Sequence, residues 1–367
     1  METSHPGAQA PEVIKAVHAP QVSKRASARG IAACLALAAG VMVAAAGAQA
    51  QSVAEFYKGK QMKVLVGSTP GGGNDLFARM FAKHYGKHVP GNPTWTVINM
   101  PGAGGILVTQ QIYSLQPKDG SVIAAVQRGI PLEPLLSGKD LRYDSLKMKW
   151  LGSINKETNL IIAWHTAPVK TAEDMFKYEF IAGAAGGGAD SLTYPRLLNK
   201  ALGTKFKIIT GYAGGEEQSL AMEREEVHGR ASVPWTTVRA NHGDWLRDKK
   251  INIIVQMALQ RDPDLPNVPN VLEYVKDPNF KQVFELLFAR QETGRPYAAP
   301  PEIPADRLAA LRTAFTAMGG DKEFISELEA RGGSVELLKW DEMETLIAKL
   351  YKTSPDVVNM AREVLRD

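Results

Sequence analysis

The stretch MKVLVGSTPGGGNDLF, residues 62–77, contains the pattern that decides the fold. Its first five residues form a short apolar run of the kind that becomes a buried strand. A glycine-rich turn follows, and Phe77, Phe81 and Tyr85 then recur at helical spacing. The stretch therefore predicts a strand, a tight turn and a helix in direct succession.

The same succession recurs along the chain. Strand-like runs with glycine-rich turns or helical periods between them lie at 95–99, 121–127, 180–182, 206–209, 227–233 and 251–257. Helical spacing returns near the C-terminus, at 308–318 and from Asp341 to Leu350. Short strands that alternate with helices are typical of mainly parallel sheets covered on both faces. We therefore predict an α/β fold whose sheets are flanked by helices.

The first fifty residues have the features of a secretory signal peptide. Lys24, Arg25 and Arg29 precede an apolar run over 31–50, which ends in the small-x-small pattern Ala48-Gln49-Ala50. About 20 apolar residues can also span a bilayer, so a membrane anchor is the alternative. A signal peptide over residues 1–50, cleaved after Ala50, predicts a protein of the periplasm.

Composition narrows the class of the remaining chain. Removal of the signal leaves 317 of the 367 residues, a length typical of two domains. Cys34 is the only cysteine and lies in the signal, so we expect no disulfide and no thiol chemistry in the mature chain. Its charge is near neutral and shows no basic stripe of the kind that nucleic-acid binding needs.

Two passages separate the two series of strands. Residues 153–164 are rich in strand formers and poor in turns, and residues 284–298 pass from an apolar run into a proline-rich segment. We interpret them as two crossings between lobes. The prediction is a discontinuous first lobe, residues 51–156 plus 291–367, and a second lobe, residues 157–290.

Four glycine-rich turns at strand-to-helix junctions are the main functional signal. In parallel sheets such junctions share one edge, where ligands bind, and glycine backbones beside helix N-termini present N–H groups to anions. One such turn often only connects two elements, but four in two lobes favour an anion site in a cleft. The predicted ligand-binding residues are Ser68, Thr69, Gly71, Gly72, Gly73, Asn74, Asp75, Gly102, Ala103, Gly104, Gly105, Gln127, Arg128, Gly187, Gly188, Ala189, Asp190, Ser191, Tyr212, Gly214 and Trp235.

Some of these residues have an alternative structural interpretation. The carboxylate of Asp75 would repel an anion and could instead cap the following helix, as could Asn74. Trp235 could stack on a ligand or belong to the core or a lid. Arg128 and Arg290 could pair with a ligand carboxylate or lie on the solvated surface.

Other chemistries find little support in the sequence. The turn at 71–73 lacks the Gly-Lys-Ser/Thr of a nucleotide P-loop, and the chain has no G-x-S-x-G nucleophile motif. His84 and His88 lie four residues apart, but two histidines alone make an incomplete zinc site. We expect no catalytic residues, no cofactor and no metal.

Five motifs resemble a known family. They are VGSTPGGGND (66–75), NMPGAGG (99–105), PKDG (117–120), GYAGG (211–215) and RDPDLPNVP (261–269). In order and spacing they are similar to the substrate-binding proteins of tripartite tricarboxylate transporters, the Bug-type family, over about residues 53–351. The chain departs from that pattern at Met100, where the family usually has Arg, and in the segments 186–190 and 227–235.

The resemblance implies a periplasmic-binding-protein type II fold, two lobes that close on an organic acid and deliver it to membrane permease subunits. It implies ligand contacts in the loops 68–75 and 102–105 of one lobe and 186–191 and 212–215 of the other. We expect a monomeric, non-enzymatic binding protein for an aliphatic or aromatic carboxylate. The alternatives are a ligand-presenting subunit for a membrane sensor kinase and an exported enzyme that acts on an anionic substrate.

Overall fold

Helices and strands alternate through the computed structural model, which describes residues 51–186 and 189–366. In chain order the elements are α1 (Val53–Tyr57), β1 (Gln61–Val66), α2 (Gly73–Tyr85), β2 (Thr94–Asn99), α3 (Ile106–Gln110), β3 (Val122–Ala125), α4 (Glu133–Ser137), β4 (Lys149–Ser153), β5 (Asn159–Trp164), β6 (Phe180–Ala184), α5 (Asp190–Leu202), β7 (Phe206–Thr210), α6 (Gly215–Glu223), β8 (Gly229–Pro234), α7 (Trp235–Asn241), α8 (Gly243–Arg247), β9 (Ile251–Met257), α9 (Pro278–Phe288), β10 (Pro296–Ala299), α10 (Ala305–Gly319), α11 (Lys322–Ala330), β11 (Leu338–Lys339), α12 (Trp340–Leu350) and α13 (Pro355–Arg366).

The strands form two mixed sheets. The first has the order β11-β4-β10-β3-β1-β2 and the second β7-β6-β8-β5-β9. β1 is parallel to β2 and β3, and β10 is antiparallel to β3 and β4. In the second sheet β6 is parallel to β7 and β8, whereas β5 is antiparallel to β8 and β9. The predicted α/β class is confirmed, and most strands in each sheet run in one direction.

Aromatic residues of α2 pack against the first sheet. Phe77, Phe81 and Tyr85 are buried, and the ring of Phe81 stacks on Tyr85 and on Tyr297 of β10, with centroids 4.2 and 4.4 Å apart. A helix whose apolar residues recur three to four apart buries one face in this way. The other face of the sheet buries Leu65 beneath α3 and α12. The first strand, its turn and its helix are therefore placed as their sequence predicts.

The C-terminal helix packs differently from the prediction. α13 buries Val358, Ala361 and Val364 against α5, α9 and α4, in the core beside the second sheet. The prediction assigns all of 291–367 to the first lobe. The amphipathic pattern of α13 shows that the helix has a buried face, but it does not show which surface covers that face. The apolar run at 284–288 also differs from a simple crossing, since it ends helix α9.

The predicted signal peptide, residues 1–50, lies outside the described residues. Within the described part, the helices are too short or too polar to span a bilayer.

Candidate functional site

A cavity of about 90 Å³ lies where the loops of the two sheets meet. The loops that follow β1 and β3 form one wall, and the loop after β6, the start of α6 and strand β8 form the other. Eleven of the predicted residues line it: Ser68, Thr69, Gly72, Gly73, Asn74, Gln127, Arg128, Ala189, Asp190, Ser191 and Gly214. The predicted convergence of glycine-rich turns from both series thus places these residues around one space, while their role in binding a ligand remains a prediction.

The turn after β1 is held by Asp75. Helix α2 begins at Gly73 with Gly72 as its N-cap, two to three residues before the predicted caps. The buried Asp75 carboxylate accepts hydrogen bonds from the Gly71 N–H at 2.9 Å and from Arg79 and Asn99 at 2.8 Å. Although burial opposes it, these bonds hold the pKa of Asp75 below its usual range. Asp75 therefore shapes the turn, and neither it nor Gly71 lines the cavity.

The turn at 102–105 also lies away from the cavity lining. Its four residues, Gly102 to Gly105, all have positive φ. A Cβ at Gly186 would lie 2.5 Å from the Cα of Ala103, so this turn touches the opposite glycine-rich loop directly. The open backbone that predicted ligand contact here serves the close approach of two loops.

Tyr212 and Trp235, the two predicted aromatic ligand contacts, do not line the cavity either. The ring of Tyr212 covers Gly183, where a Cβ would lie 2.9 Å from Cε2. Trp235 is buried at the start of α7, with Arg239 5.4 Å from its ring centroid. Trp235 therefore has the core role named as its alternative. Gly187 and Gly188 lie outside the described residues.

Three buried arginines line the cavity, and their partners differ. Arg295 forms an ion pair with Glu157 at 3.1 Å and donates a hydrogen bond to Thr237. Arg128 approaches the carboxylate of Asp190 at 3.5 Å, and its Nη1 has no hydrogen-bond partner among the described residues. The fully buried Arg290 also forms an ion pair with Asp190, at 2.9 Å, so Arg128 and Arg290 share this carboxylate.

Arg230 of β8 is the least compensated of the three. Its Nη1 donates to Ser219 Oγ at 3.0 Å, its Nε has no partner, and within the described part of the chain no carboxylate lies within 4.0 Å of it. Burial lowers the pKa of Arg230 to about 10, against the opposing effect of Glu216. A buried, positively charged group with free N–H donors is suited to a ligand carboxylate.

Ser219 also contacts His242 and so raises the question of catalysis. Ser219 Oγ lies 3.3 Å from Nε2 of His242, and a Glu216 oxygen lies 3.8 Å from the same nitrogen. In a hydrolase triad the acid holds the other ring nitrogen, and the serine is open to substrate. Here Ser219 is buried and already accepts a hydrogen bond from Arg230. The group positions Arg230 and does not resemble a nucleophile with its base.

Direct contacts join the two walls. Thr69 Oγ1 donates to Glu217 at 3.2 Å, and Asn241 Nδ2 donates to the Gly71 carbonyl at 2.8 Å. A Cβ at Gly73 would lie 2.2 Å from Thr237 Oγ1, so α2 and α7 meet at the rim with no space for a side chain. The structure is therefore the closed arrangement of the cleft.

Sequence reasoning missed ten residues of the lining. They are Asn159, Ala185, Gly215, Glu216, Gln218, Arg230, Ser232, Pro234, Thr237 and Arg295. Gly215 and Glu216 adjoin a predicted turn, and Arg230 interrupts the apolar run 227–233, which is a usable signal for a buried charge. Nothing in the local sequence marks Thr237 or Arg295.

One group of side chains has the composition of a metal site. Ligand atoms of His84, Asp321 and Glu323 lie within 4.8 Å of one another. Lys87 Nζ sits between the two carboxylates, 2.6 Å from Asp321 and 2.7 Å from Glu323. These ion pairs join the turn after α2 to the start of α11, and they occupy both carboxylates of the cluster.

Comparison with known proteins finds a matching family and several similar structures. A family model described as "Tripartite tricarboxylate transporter family receptor" matches residues 78–348. The structure resembles the periplasmic binding protein BugD, with 21% identity, a TM-score of 0.67, and 84% of this chain and 98% of that chain covered. It also resembles R. palustris Rpa4515 with adipate, at 19% identity and a TM-score of 0.67 over 83% and 97% of the chains.

A further similar structure is MatC from Rhodopseudomonas palustris with bound malate. The identity is 20%, the TM-score is 0.63, and 84% of this chain and 99% of that chain are covered. At such identities the likeness shows a shared fold, the two-lobed architecture of periplasmic binding proteins.

Proposed function

The chain belongs to the tripartite tricarboxylate transporter receptor family, as its motifs predict, and we propose that it is a periplasmic solute-binding protein for a small organic carboxylate. In this proposal the ligand is captured between two lobes and delivered to the membrane permease subunits of a tripartite tricarboxylate transporter. The lobes correspond to the two sheets with their helices, with α13 assigned to the second. The adipate and malate in the similar structures support a carboxylate ligand for this chain.

The observation that carries the proposal is the set of unpartnered donors in the cavity. Arg128 Nη1, Arg230 Nε and the Ser68 hydroxyl are buried and have no hydrogen-bond partner among the described residues. Buried donors without an acceptor are costly, and native proteins rarely retain them without a use. A ligand carboxylate would accept hydrogen bonds from them.

The number of donors is sufficient for a useful affinity. Hydrogen bonds to a charged group contribute about 1.5–3 kcal/mol each, and a micromolar dissociation constant corresponds to about 8 kcal/mol. The three side-chain donors and the N–H groups of the turn that ends at Asn74 could supply this amount. The carbon body of the ligand would add contacts, while closure of the lobes would cost part of the sum.

The direct test is to identify the ligand. The mature protein, residues 51–367, is purified and examined by native mass spectrometry, and any compound that co-purifies is titrated by calorimetry together with a panel of organic acids. We expect saturable 1:1 binding of a carboxylate, without product formation. Absence of binding across the panel, or binding of a cation or peptide instead, would overturn the proposal.

A further inference from the structure

Glu216 places a carboxylate in a cavity otherwise suited to anions. It lies in the first turn of α6, lines the cavity, and its side chain is 30% exposed. In the part of the chain that the structure describes, no donor hydrogen-bonds to its carboxylate, and the ring nitrogen Nε2 of His242 lies 3.8 Å away. The Glu216 carboxylate has therefore lost part of its hydration on burial without gaining a hydrogen bond from the protein.

Gln218 adds a second acceptor from the same helix. It is 2% exposed, lines the cavity, and its Oε1 has no partner among the described residues. The start of α6 therefore offers two acceptor groups. Arg128 and Ser68 on the opposite wall and Arg230 on the same wall offer donors, so the cavity presents guanidinium groups together with an unpaired carboxylate.

From these two unpartnered acceptors we infer that the ligand carries a hydrogen-bond donor, a hydroxyl or an amino group, at the end that meets Glu216 and Gln218. The inference rests on the proposed function, which supplies the carboxylate for Arg128 and Arg230. A second carboxylate at the α6 end would face the charge of Glu216 and leave both acceptors unmet. A site built to accept a hydrogen bond rejects an analogue that lacks the donor much more strongly than an apolar pocket rejects a size change.

Charged neighbours modulate Glu216 but do not satisfy it. Burial raises the pKa of Glu216, Arg230 lowers it, and Glu223 and Glu217 raise it. His242, the fourth titratable neighbour, is neutral at pH 7, since burial lowers its pKa to about 4. At acidic pH a protonated Glu216 becomes a donor, so the discrimination against a second carboxylate should weaken as pH falls.

The test uses ligands of equal length that differ only at one end. Calorimetry compares succinate with 4-hydroxybutyrate and 4-aminobutyrate, and adipate with 6-hydroxyhexanoate and 6-aminohexanoate, at pH 7.5. We expect the best hydroxy or amino acid to bind at least tenfold more tightly than the dicarboxylate of the same length. Glu216→Gln should reduce this ratio to threefold or less, because the new amide can donate to a carboxylate.

Glu217→Gln is the matched control. Glu217 is the next residue in the same helical turn. Its carboxylate accepts a hydrogen bond from Thr69 and does not line the cavity, so Glu217→Gln should keep the tenfold ratio. The inference is overturned if the wild type binds the dicarboxylates as tightly as the other acids, or if both variants change the ratio equally. Failure of the proposed function would differ, because then no acid in either series would bind.

Discussion

Replacement of Arg230 by methionine should separate the stability of the protein from its affinity. Burial lowers the pKa of Arg230 to about 10, well below its usual value. At about 1.4 kcal/mol per pKa unit, the charged form costs the unliganded protein about 3 kcal/mol. Arg230→Met removes this cost and the bond to Ser219, which contributes about 1.5–3 kcal/mol. The two changes nearly cancel, so the free energy of unfolding should change by less than about 2 kcal/mol.

The affinity for a carboxylate should respond very differently. Each lost bond between Arg230 and the ligand should raise the dissociation constant about 10- to 100-fold, since 1.4 kcal/mol corresponds to a factor of ten. Urea unfolding of the ligand-free protein gives the stability, and calorimetry with the ligand identified above gives the affinity. Methionine is chosen because its volume and flexibility suit a buried arginine site.

Arg290→Met is the matched control. Arg290 is equally buried but forms an ion pair with Asp190 at 2.9 Å. Removal of one partner from a buried pair costs about 3–5 kcal/mol, because the other charge is left uncompensated. The reasoning is refuted if Arg230→Met destabilises the ligand-free protein as much as Arg290→Met does while the affinity stays unchanged, for then Arg230 would be a structural residue.

Two further outcomes are expected. Gly73→Ala should weaken ligand binding at least tenfold without loss of folding, because its Cβ would meet Thr237 at 2.2 Å and hold the cleft open. Gly243→Ala is the control, since its Cβ would meet nothing within 4 Å and Gly243 does not line the cavity, and it should bind as the wild type does in calorimetry. Burial, aided by Arg230, lowers the pKa of His242 from 6.5 to about 4. Between about pH 4 and pH 6.5 the unfolded chain therefore binds a proton that the folded chain does not. The contribution of neutral His242 to the free energy of unfolding is complete above about pH 6.5 and is lost as pH falls toward 4, by up to about 3 kcal/mol. His242→Asn should remove that part of the pH dependence in urea unfolding, and an unchanged slope would contradict the assignment.

The sequence predicts the local units of this fold well because each is specified by neighbouring residues. The run 62–66, the turn at 67–72 and the aromatic spacing from Phe77 are enough to specify β1, its turn and α2, and the structure agrees within one to three residues. The same holds for α10, whose buried Leu308, Leu311, Phe315 and Met318 show helical spacing in the sequence.

Residues that depend on contacts far along the chain are predicted less well. Arg295 and Thr237 reach the cavity only through the pairing of distant elements, and no local pattern distinguishes them from surface residues. The turn at 102–105 illustrates the same limit. Its positive φ values and small residues allow close approach, but only the folded structure shows that Gly186 is one of its partners.

The closed cleft has an energetic consequence for the binding cycle. Closure joins Thr69 to Glu217 and Asn241 to Gly71, which are few polar contacts at the rim. It also buries donors that no described protein group satisfies, Arg230 Nε among them. Because such donors are hydrated when the cleft is open, closure without a ligand forfeits their bonds to water. Under the proposed function, a bound carboxylate would restore those bonds and so favour the closed state by its differential affinity for it. In that proposal the same unpartnered arginine would link ligand recognition to lobe closure.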